Sequence, residues 1–436
     1  FGQGWAVSLG ILNMCIISAI MTMGVNISWG YAGVINFGVM GFLAMGGLAA
    51  VLVSYPPIKE AWHVGGSGLG ISFILLVVLI TVVYFITKLV EKKSHKYWLN
   101  GLVIFFGLII IRHFFLNATD RIEEVDPALA GFLGGANLPI IFSWAVGGFF
   151  AGGVAFVIGK VALGLRSDYL AIVTLGISEI VVSVLKHEEW LSRGVKNVIG
   201  LKRPVPYEIN LQTSDWFINM VTWFNSSKLN EIIDPDQKQE ILNKLIIDSS
   251  SLFVKLNYAM LFFTVMIIIY YFANKAQISP WGRMMTAIRE NEAAARAAGK
   301  NVTKRRVEAF IIGTMIMGLA GALLAQHLRF IEPTHTFDPS KMTFLVWVML
   351  IAGGSGNNRG AIFGAFLIWF VWSTSELFLN GFIDIIGNIF NGMDISMLKN
   401  RSGYLRMLLI GLVLQFVLQK YPKGILPERR PAASGE

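Results

Sequence analysis

Behind Asp168, three polar side chains stand inside an otherwise greasy run, Asp168-Tyr-Leu-Ala-Ile-Val-Thr-Leu-Gly-Ile-Ser-Glu-Ile-Val-Val182. At helical spacing Thr174 and Ser178 share a face, with Glu179 beside it. A carboxylate within an apolar helix is costly and marks a candidate for function. Glu179 could meet a solute ammonium, pair with an arginine, or reach toward the membrane surface. Other chemistry is poorly supplied. The six histidines, at 63, 95, 113, 187, 327 and 335, show no ligand spacing, and Cys15 is the single cysteine, so no metal site is expected. Lys160 and Lys300 each follow a glycine, but Val154 and Ala294 stand where a phosphate-binding loop needs glycine, and no Ser or Thr follows either lysine. With no nucleophile–base pair either, the chain is expected not to be an enzyme, and any ATP must be hydrolysed elsewhere.

Two glycine clusters accompany polar residues. Gly30, Gly33, Gly38 and Gly41 lie close to Asn26, Ser28 and Asn36. Gly353, Gly354, Gly356, Gly360 and Gly364 surround Asn357, Asn358 and Arg359. Such clusters either let two helices approach closely or expose backbone groups to a polar solute where a helix breaks. On the second reading the pathway is lined by Asn26, Gly30, Gly33, Asn36, Gly38, Thr174, Ser178, Glu179, Gly353, Gly354 and Gly356.

A third group lies in the long polar stretch Ser279 to Gly299. Ser279-Pro280-Trp281 starts a helix, because proline is tolerated in the first turn. Glu292-Ala-Ala-Ala-Arg296 is strongly helix-forming, with its ion pair in the favourable i,i+4 order, and Gly299 supplies a C-terminal cap. The spacing predicts one rigid rod over 279–299 with a small-residue face suited to a groove. A solvated interfacial helix anchored by arginines fits the same residues.

The elements that must carry these groups are membrane helices. Of the 436 residues 55% are hydrophobic and 14% charged, with 45 glycines. Mean hydropathy is +0.62. Soluble proteins carry about 25% charged residues, so a large aqueous domain is excluded. Apolar runs fall at 5–27, 31–54, 68–90, 99–116, 133–158, 169–186, 252–273, 307–328, 342–356, 360–378 and 403–420, with 5–27 read as a retained span. Those near 31, 342 and 360 are short or glycine-broken and could be half-helices. The expected fold is all-α: a polytopic integral membrane bundle of about 8–11 transmembrane or re-entrant segments.

The net charge of +9 lies beside the spans, which points to orientation rather than nucleic acid. From Lys275 to Arg306 there are eight Lys/Arg against two acids, and 91–96 and 420–430 are also basic. Asp120 to Asp126 holds four acids and one arginine. The basic segments are expected in the cytoplasm, together with the C-terminus. Residues 187–250 become a periplasmic insert, with one or two short helices over 231–250, that packs on the bundle or docks an external partner.

Several of these segments resemble the LivM/LivH family of permease subunits of bacterial ABC importers for branched-chain amino acids, LivM more than LivH. They are Gly30-Tyr-Ala-Gly-Val-Ile-Asn-Phe-Gly38, Ser167 to Ile180, Gly282 to Gly299, Gly353-Gly-Ser-Gly356 with Gly360 and Gly364, and Gly403 to Gly411 followed by Pro422-Lys-Gly-Ile-Leu426. The resemblance implies a single transmembrane permease domain over 1–436 in a bacterial inner (plasma) membrane, crossing it several times. It implies a LivH-like second permease, two cytoplasmic ATPases of LivG/LivF type that use ATP and Mg, and a periplasmic amino-acid-binding protein. This chain itself would bind no cofactor. The solutes implied are leucine, isoleucine and valine, with urea or short amides as the alternative; an ion-coupled transporter is a weaker one. Gly282, Arg283, Arg289, Glu290, Glu292, Arg296 and Gly299 would then belong to the helix that couples to the ATPases. The 187–250 insert and much of 91–130 depart from the family pattern.

Overall fold

A computed structural model describes residues 4–90, 93–126, 131–165, 167–231, 233–334, 336–389 and 402–428. His335, the start of the 91–96 basic segment and the tail from Arg429 lie outside these. Helix α1, Trp5–Val25, runs directly into a π-helical turn, Asn26–Tyr31. The chain then leaves the helix until α2, Val39–Ser54. Next come α3 (Lys59–Leu89), α4 (Lys93–Glu123), α5 (Phe142–Ala162) and α6 (Ser167–His187). Four short helices follow: α7 (Glu189–Ser192), α8 (Glu208–Gln212), α9 (Asp215–Phe224) and α10 (Ser226–Asn230). The long α11 (Pro235–Ile278) leads to α12 (Pro280–Glu290), α13 (Glu292–Ala297), α14 (Val302–Leu328), α15 (Pro339–Gly353), α16 (Asn358–Ile389) and a last helix, Ser402–Lys420.

Every apolar run in the sequence carries one of these helices, in a polytopic all-α bundle. Among the described residues, eight helices are long and apolar enough to cross a membrane. Helices α2 and α15 have 16 and 15 residues. At 1.5 Å per residue they span only about 24 and 22 Å, short of the ~30 Å hydrocarbon core. The segments near 31 and 342 are thus the short ones, as their glycine-broken sequences suggest. The segment near 360 is not short, because α16 continues for 32 residues.

Two further expectations are corrected. Residues 235–250 do not form separate short helices: they are the first turns of α11, which runs unbroken for 44 residues. Asp234 starts it by accepting from the Asp236 amide, and Pro235 fits the first turn. The polar stretch at 279–299 is not one rod. Its chain turns out of helix at Asn291, whose side chain accepts from Ala294 N at 3.0 Å and so starts α13 anew. An Asn side chain competes for backbone donors in this way, and here it wins over alanine propensity.

Small residues hold the centre. A Cβ on Gly46 of α2 would overlap the carbonyl of Gly318 of α14, and one on Gly147 of α5 would lie 3.0 Å from Gly46 Cα. These three helices cross with backbones in contact, as membrane helices do when dispersion replaces the hydrophobic drive. The α3–α4 hairpin stands outside this core. Its two helices pack on each other, while Phe73, Ile80, Phe105 and Phe106 are exposed, as lipid-facing residues are.

Loops gather at two ends. At one, Ala136 N donates to Leu52 O, Leu133 N to Trp190 O, and β1 (Val198–Ile199) pairs antiparallel with β2 (Phe330–Ile331). Glu208 there bridges Arg203 and Arg329. The other end holds 278–302, 353–358 and 421–428, and with them much of the basic charge.

Candidate functional site

The basic end is built around a buried amide network. Asn26 opens the π-helical turn, and its side chain spans two elements. Oδ1 accepts from Gly356 N at 2.8 Å, and Nδ2 donates to Asn358 Oδ1 at 3.0 Å. Tyr31 closes the same turn and donates its hydroxyl to that oxygen at 2.7 Å. Asn358 Nδ2 donates in turn to Asn274 Oδ1 at 2.7 Å and to Gln277 Oε1 at 3.3 Å, and Gln277 Nε2 donates to Gly356 O at 2.7 Å. Asn26, Tyr31 and Asn358 are each almost wholly buried. Backbone freed where α15 gives way to α16 is thus satisfied by side chains, the condition for irregular backbone at such a place.

Arg289 of α12 enters this network from outside the bundle. One guanidinium nitrogen donates to the Gly30 carbonyl, and the other reaches Glu428 Oε2 at 2.6 Å. Gly33, in the left-handed region at φ 68°, packs 3.2 Å from Arg289 Cγ through the position a Cβ would take. Gly354 and Gly356 also have positive φ, 119° and 78°. A cavity of about 580 Å³ with mixed polar and apolar walls lies between Trp29, Gly33, Arg289, Ser355, Lys423 and Glu428. Gly30, Gly33 and Gly356 are therefore brought together with Asn26 and Arg289, while Gly353 packs on Gly360 and Gly364 of α16 and Gly354 on Leu426.

The other residues expected to couple lie along α12 and α13 and in the turn after α13. Gly282 is buried in the sharp corner after α11, where a Cβ would overlap Gln277 O. Arg283 donates to Ile278 O at 2.8 Å and so closes the end of α11. Glu290 is exposed. Glu292 pairs with Arg296 at 2.7 Å and with Arg306 of α14 at 2.8 Å. Gly299 is exposed at φ 73°, which only glycine adopts without strain.

Asn36, Gly38, Thr174 and Ser178 form a second group. Thr174 Oγ1 accepts from Phe37 N at 3.0 Å and Ser178 Oγ from Gly41 N at 2.7 Å. Asn36 Oδ1 accepts from Gly38 N at 2.8 Å. All three side chains serve the amides at the start of α2, which have no partner within their own helix. Glu179, midway along α6, joins neither group and points out of the bundle. Toward the other end an apolar cavity of about 290 Å³ is lined by Met14, Met21, Met40, Met342, Met349 and Trp369. Tyr31, Asn274, Gln277 and Glu428 were not singled out from the sequence. Asn274 and Gln277, three apart in the last turn of an apolar helix, are a pattern that could have been read.

The family described as "Branched-chain amino acid transport system / permease component" matches residues 7–418. The chain belongs to this family. Relatives in it include the high-affinity branched-chain amino acid transport system permease protein LivM of Escherichia coli (strain K12), 25% identical over 300 residues, which are 67% of this chain and 60% of that protein. The probable branched-chain amino acid transport permease protein LivM of Methanocaldococcus jannaschii is 26% identical over 162 residues, 37% of this chain and 44% of that one. A more limited similarity, 31% over 97 residues, joins the ribose import permease protein RbsC of Haemophilus influenzae, covering 21% of this chain and 30% of the relative. The chain thus spans about 60% of the length of the E. coli relative. No solved structure matches the chain. Within this permease family the described residues of the present member contain no group of three or more His, Cys, Asp or Glu arranged to hold a metal.

Proposed function

We propose that this chain is a LivM-type permease subunit of an ABC importer in a bacterial inner membrane, with the basic end and C-terminus in the cytoplasm. Two LivG/LivF-type ATPases would act on α12 and α13, a LivH-like permease would complete the pathway, and a periplasmic binding protein would deliver leucine, isoleucine or valine. The observation that carries this is the Arg289 contact. A helix outside the bundle grips the carbonyl of Gly30, where the α1 helix breaks, so a push on α12 reaches the helix break in one step.

Two features support the finer parts. Glu179 faces outward from the middle of α6. A carboxylate left in lipid is costly, so its place favours a pathway shared with the second permease and against one enclosed by this chain alone. The methionine-lined cavity is adaptable and apolar, as an aliphatic solute side chain requires. Co-purification of ATPase chains with this one tests the class. Uptake of labelled isoleucine into vesicles holding the whole assembly, competed with urea and with valine, tests the solute. Competition by urea alone would move the assignment to short amides, and uptake driven by an ion gradient without ATP would overturn the ABC reading.

A further inference from the structure

We propose that Glu428 is a positioning residue for coupling: with segment 421–428 it holds Arg289 of α12 on the carbonyl of Gly30. The proposal rests on the reading of α12 as the element that receives ATPase motion.

The segment follows the last helix and turns back at Gly424, which has φ 82° and donates to Tyr421 O at 2.8 Å. It then does what a further helical turn of α15 would do. The last carbonyls of a helix have no donor of their own. Ile425 N donates to Ala352 O at 3.0 Å and Leu426 N to Gly353 O at 2.9 Å, so the tail supplies two of them. Gly354 and Gly424 permit this approach, since a Cβ on either would overlap the other strand of chain. Asn357 Nδ2 fixes the tail from the far side, at 3.1 Å from Leu426 O and 3.2 Å from Pro427 O.

Capping α15 requires only the tail's backbone. The carboxylate at 428 adds something else. Glu428 Oε2 takes one terminal nitrogen of Arg289 at 2.6 Å, both side chains being about three-quarters buried, at 23% and 24% exposure. A guanidinium is planar with its donors in a fixed fork. Once Glu428 holds one terminal nitrogen, the other is directed at Gly30 O without further loss of freedom. Without Glu428 the Arg289 head swings on a flexible stem, and α12 loses its fixed lever on the helix break.

The test uses the full chain in its assembly. Glu428→Lys places like charges together and should lower solute taken up per ATP hydrolysed by about tenfold, the scale of losing a charge-assisted hydrogen bond. Amide exchange over 282–290 in the purified chain should rise by a similar factor, while Ile425 and Leu426 keep their protection. Glu428→Asp should recover most of both readouts, and Glu428→Gln should fall between. Wild-type exchange over 282–290 in Glu428→Lys overturns the proposal, as does faster exchange there with unchanged coupling. Loss of protection at Ile425 and Leu426 in Glu428→Gln overturns it too, because the residue would then be structural. The exchange readout needs neither ATPase nor solute, so failure of the proposed function is seen separately, as absence of any ATP-driven uptake by the unaltered chain.

Discussion

Asn26 Nδ2 donates to Asn358 Oδ1 at 3.0 Å although 332 residues separate them in the chain. The bond ties the π-helical end of α1 to the first residue of α16, and through Asn358 Nδ2 it extends to Asn274 of α11. Three helices are thereby fastened at one buried point. Asn358→Ala should remove the acceptor of both Asn26 and Tyr31 and cost about 3 kcal/mol, since each buried polar group left unpaired costs roughly 1–3 kcal/mol. Thermal unfolding in detergent measures it. An unchanged midpoint would mean that water or a rearranged side chain replaces the network.

Thr174 and Ser178, polar groups inside a span, are both occupied by the start of α2. Thr174→Val and Ser178→Ala should each destabilise by about 1 kcal/mol, as loss of a helix N-terminal acceptor does. Glu179→Gln should leave the isolated chain's stability unchanged, because the carboxylate is exposed there, and should reduce recovery of the second permease on co-purification. Equal recovery with Glu179→Gln removes the interface role.

The glycine contacts separate into tight and open ones. Gly318 is enclosed by the carbonyl of Gly147 and by Ala151 Cβ, whereas nothing lies within 4 Å of where a Cβ on Gly176 would stand. Gly318→Ala should cost about 1–3 kcal/mol, the range for overpacking a filled interior. Gly176→Ala should be neutral or stabilising by up to about 1 kcal/mol, because alanine is the better helix former. The two variants, each unfolded by heat, check the pair; similar losses would refute the packing account.

What the sequence made legible follows from which signals are local. Apolar runs of about twenty residues located a helix at every expected span. The break at 32–38 was invisible to hydropathy because Ala32, Val34, Ile35 and Phe37 are as apolar as the helices around them. The 235–250 part of α11 was hidden for the opposite reason: its charged residues do not read as continuous with a span. Asn26 and the two glycine clusters could be picked out as unusual in lipid, but their mutual contact spans most of the chain and no spacing rule encodes it. The same holds for Glu428, an ordinary residue of a polar tail until its position beside Arg289 is known.

Acid should loosen the end of the bundle opposite α12. Burial pushes the Glu208 carboxyl up, but its own backbone amide, the hydrogen bond from Arg203 and the charge of Arg329 outweigh that and hold it below the ordinary value. A lowered folded value means that this contribution is complete above the unfolded carboxylate range, near pH 4.3, and is lost as pH falls below it. Glu208→Gln should flatten that part of the stability profile between about pH 5 and 3 without altering the midpoint's response above it. An unaltered profile in the variant would show that the bridge contributes nothing to acid stability.

The family resemblance groups Arg289 and Arg296 as coupling residues, and their surroundings differ. Arg289 is 23% exposed and points into the bundle, to Gly30 and Glu428. Arg296 is 61% exposed and pairs only with Glu292 among the described ion pairs, an exposed arrangement worth roughly 0–1 kcal/mol. Arg289→Glu should therefore uncouple: ATPase subunits still bind and hydrolyse ATP, while uptake falls at least about tenfold because the link to the helix break is replaced by repulsion from Glu428. Arg296→Glu leaves that link intact and acts at the outer surface, so it should weaken recovery of the ATPase subunits while the uptake per ATP of the remaining assembly stays near the original. Gly299→Val should resemble Arg296→Glu rather than Arg289→Glu, because Gly299 lies in the turn after α13. A β-branched residue is strained by about 1–2 kcal/mol at positive φ, so the turn into α14 must reshape and shift α13 against it. Measuring ATPase recovery and uptake per ATP on all three variants decides the matter. If Arg289→Glu and Arg296→Glu prove alike in both, α12 and α13 act as one docking surface and Arg289 is not the lever.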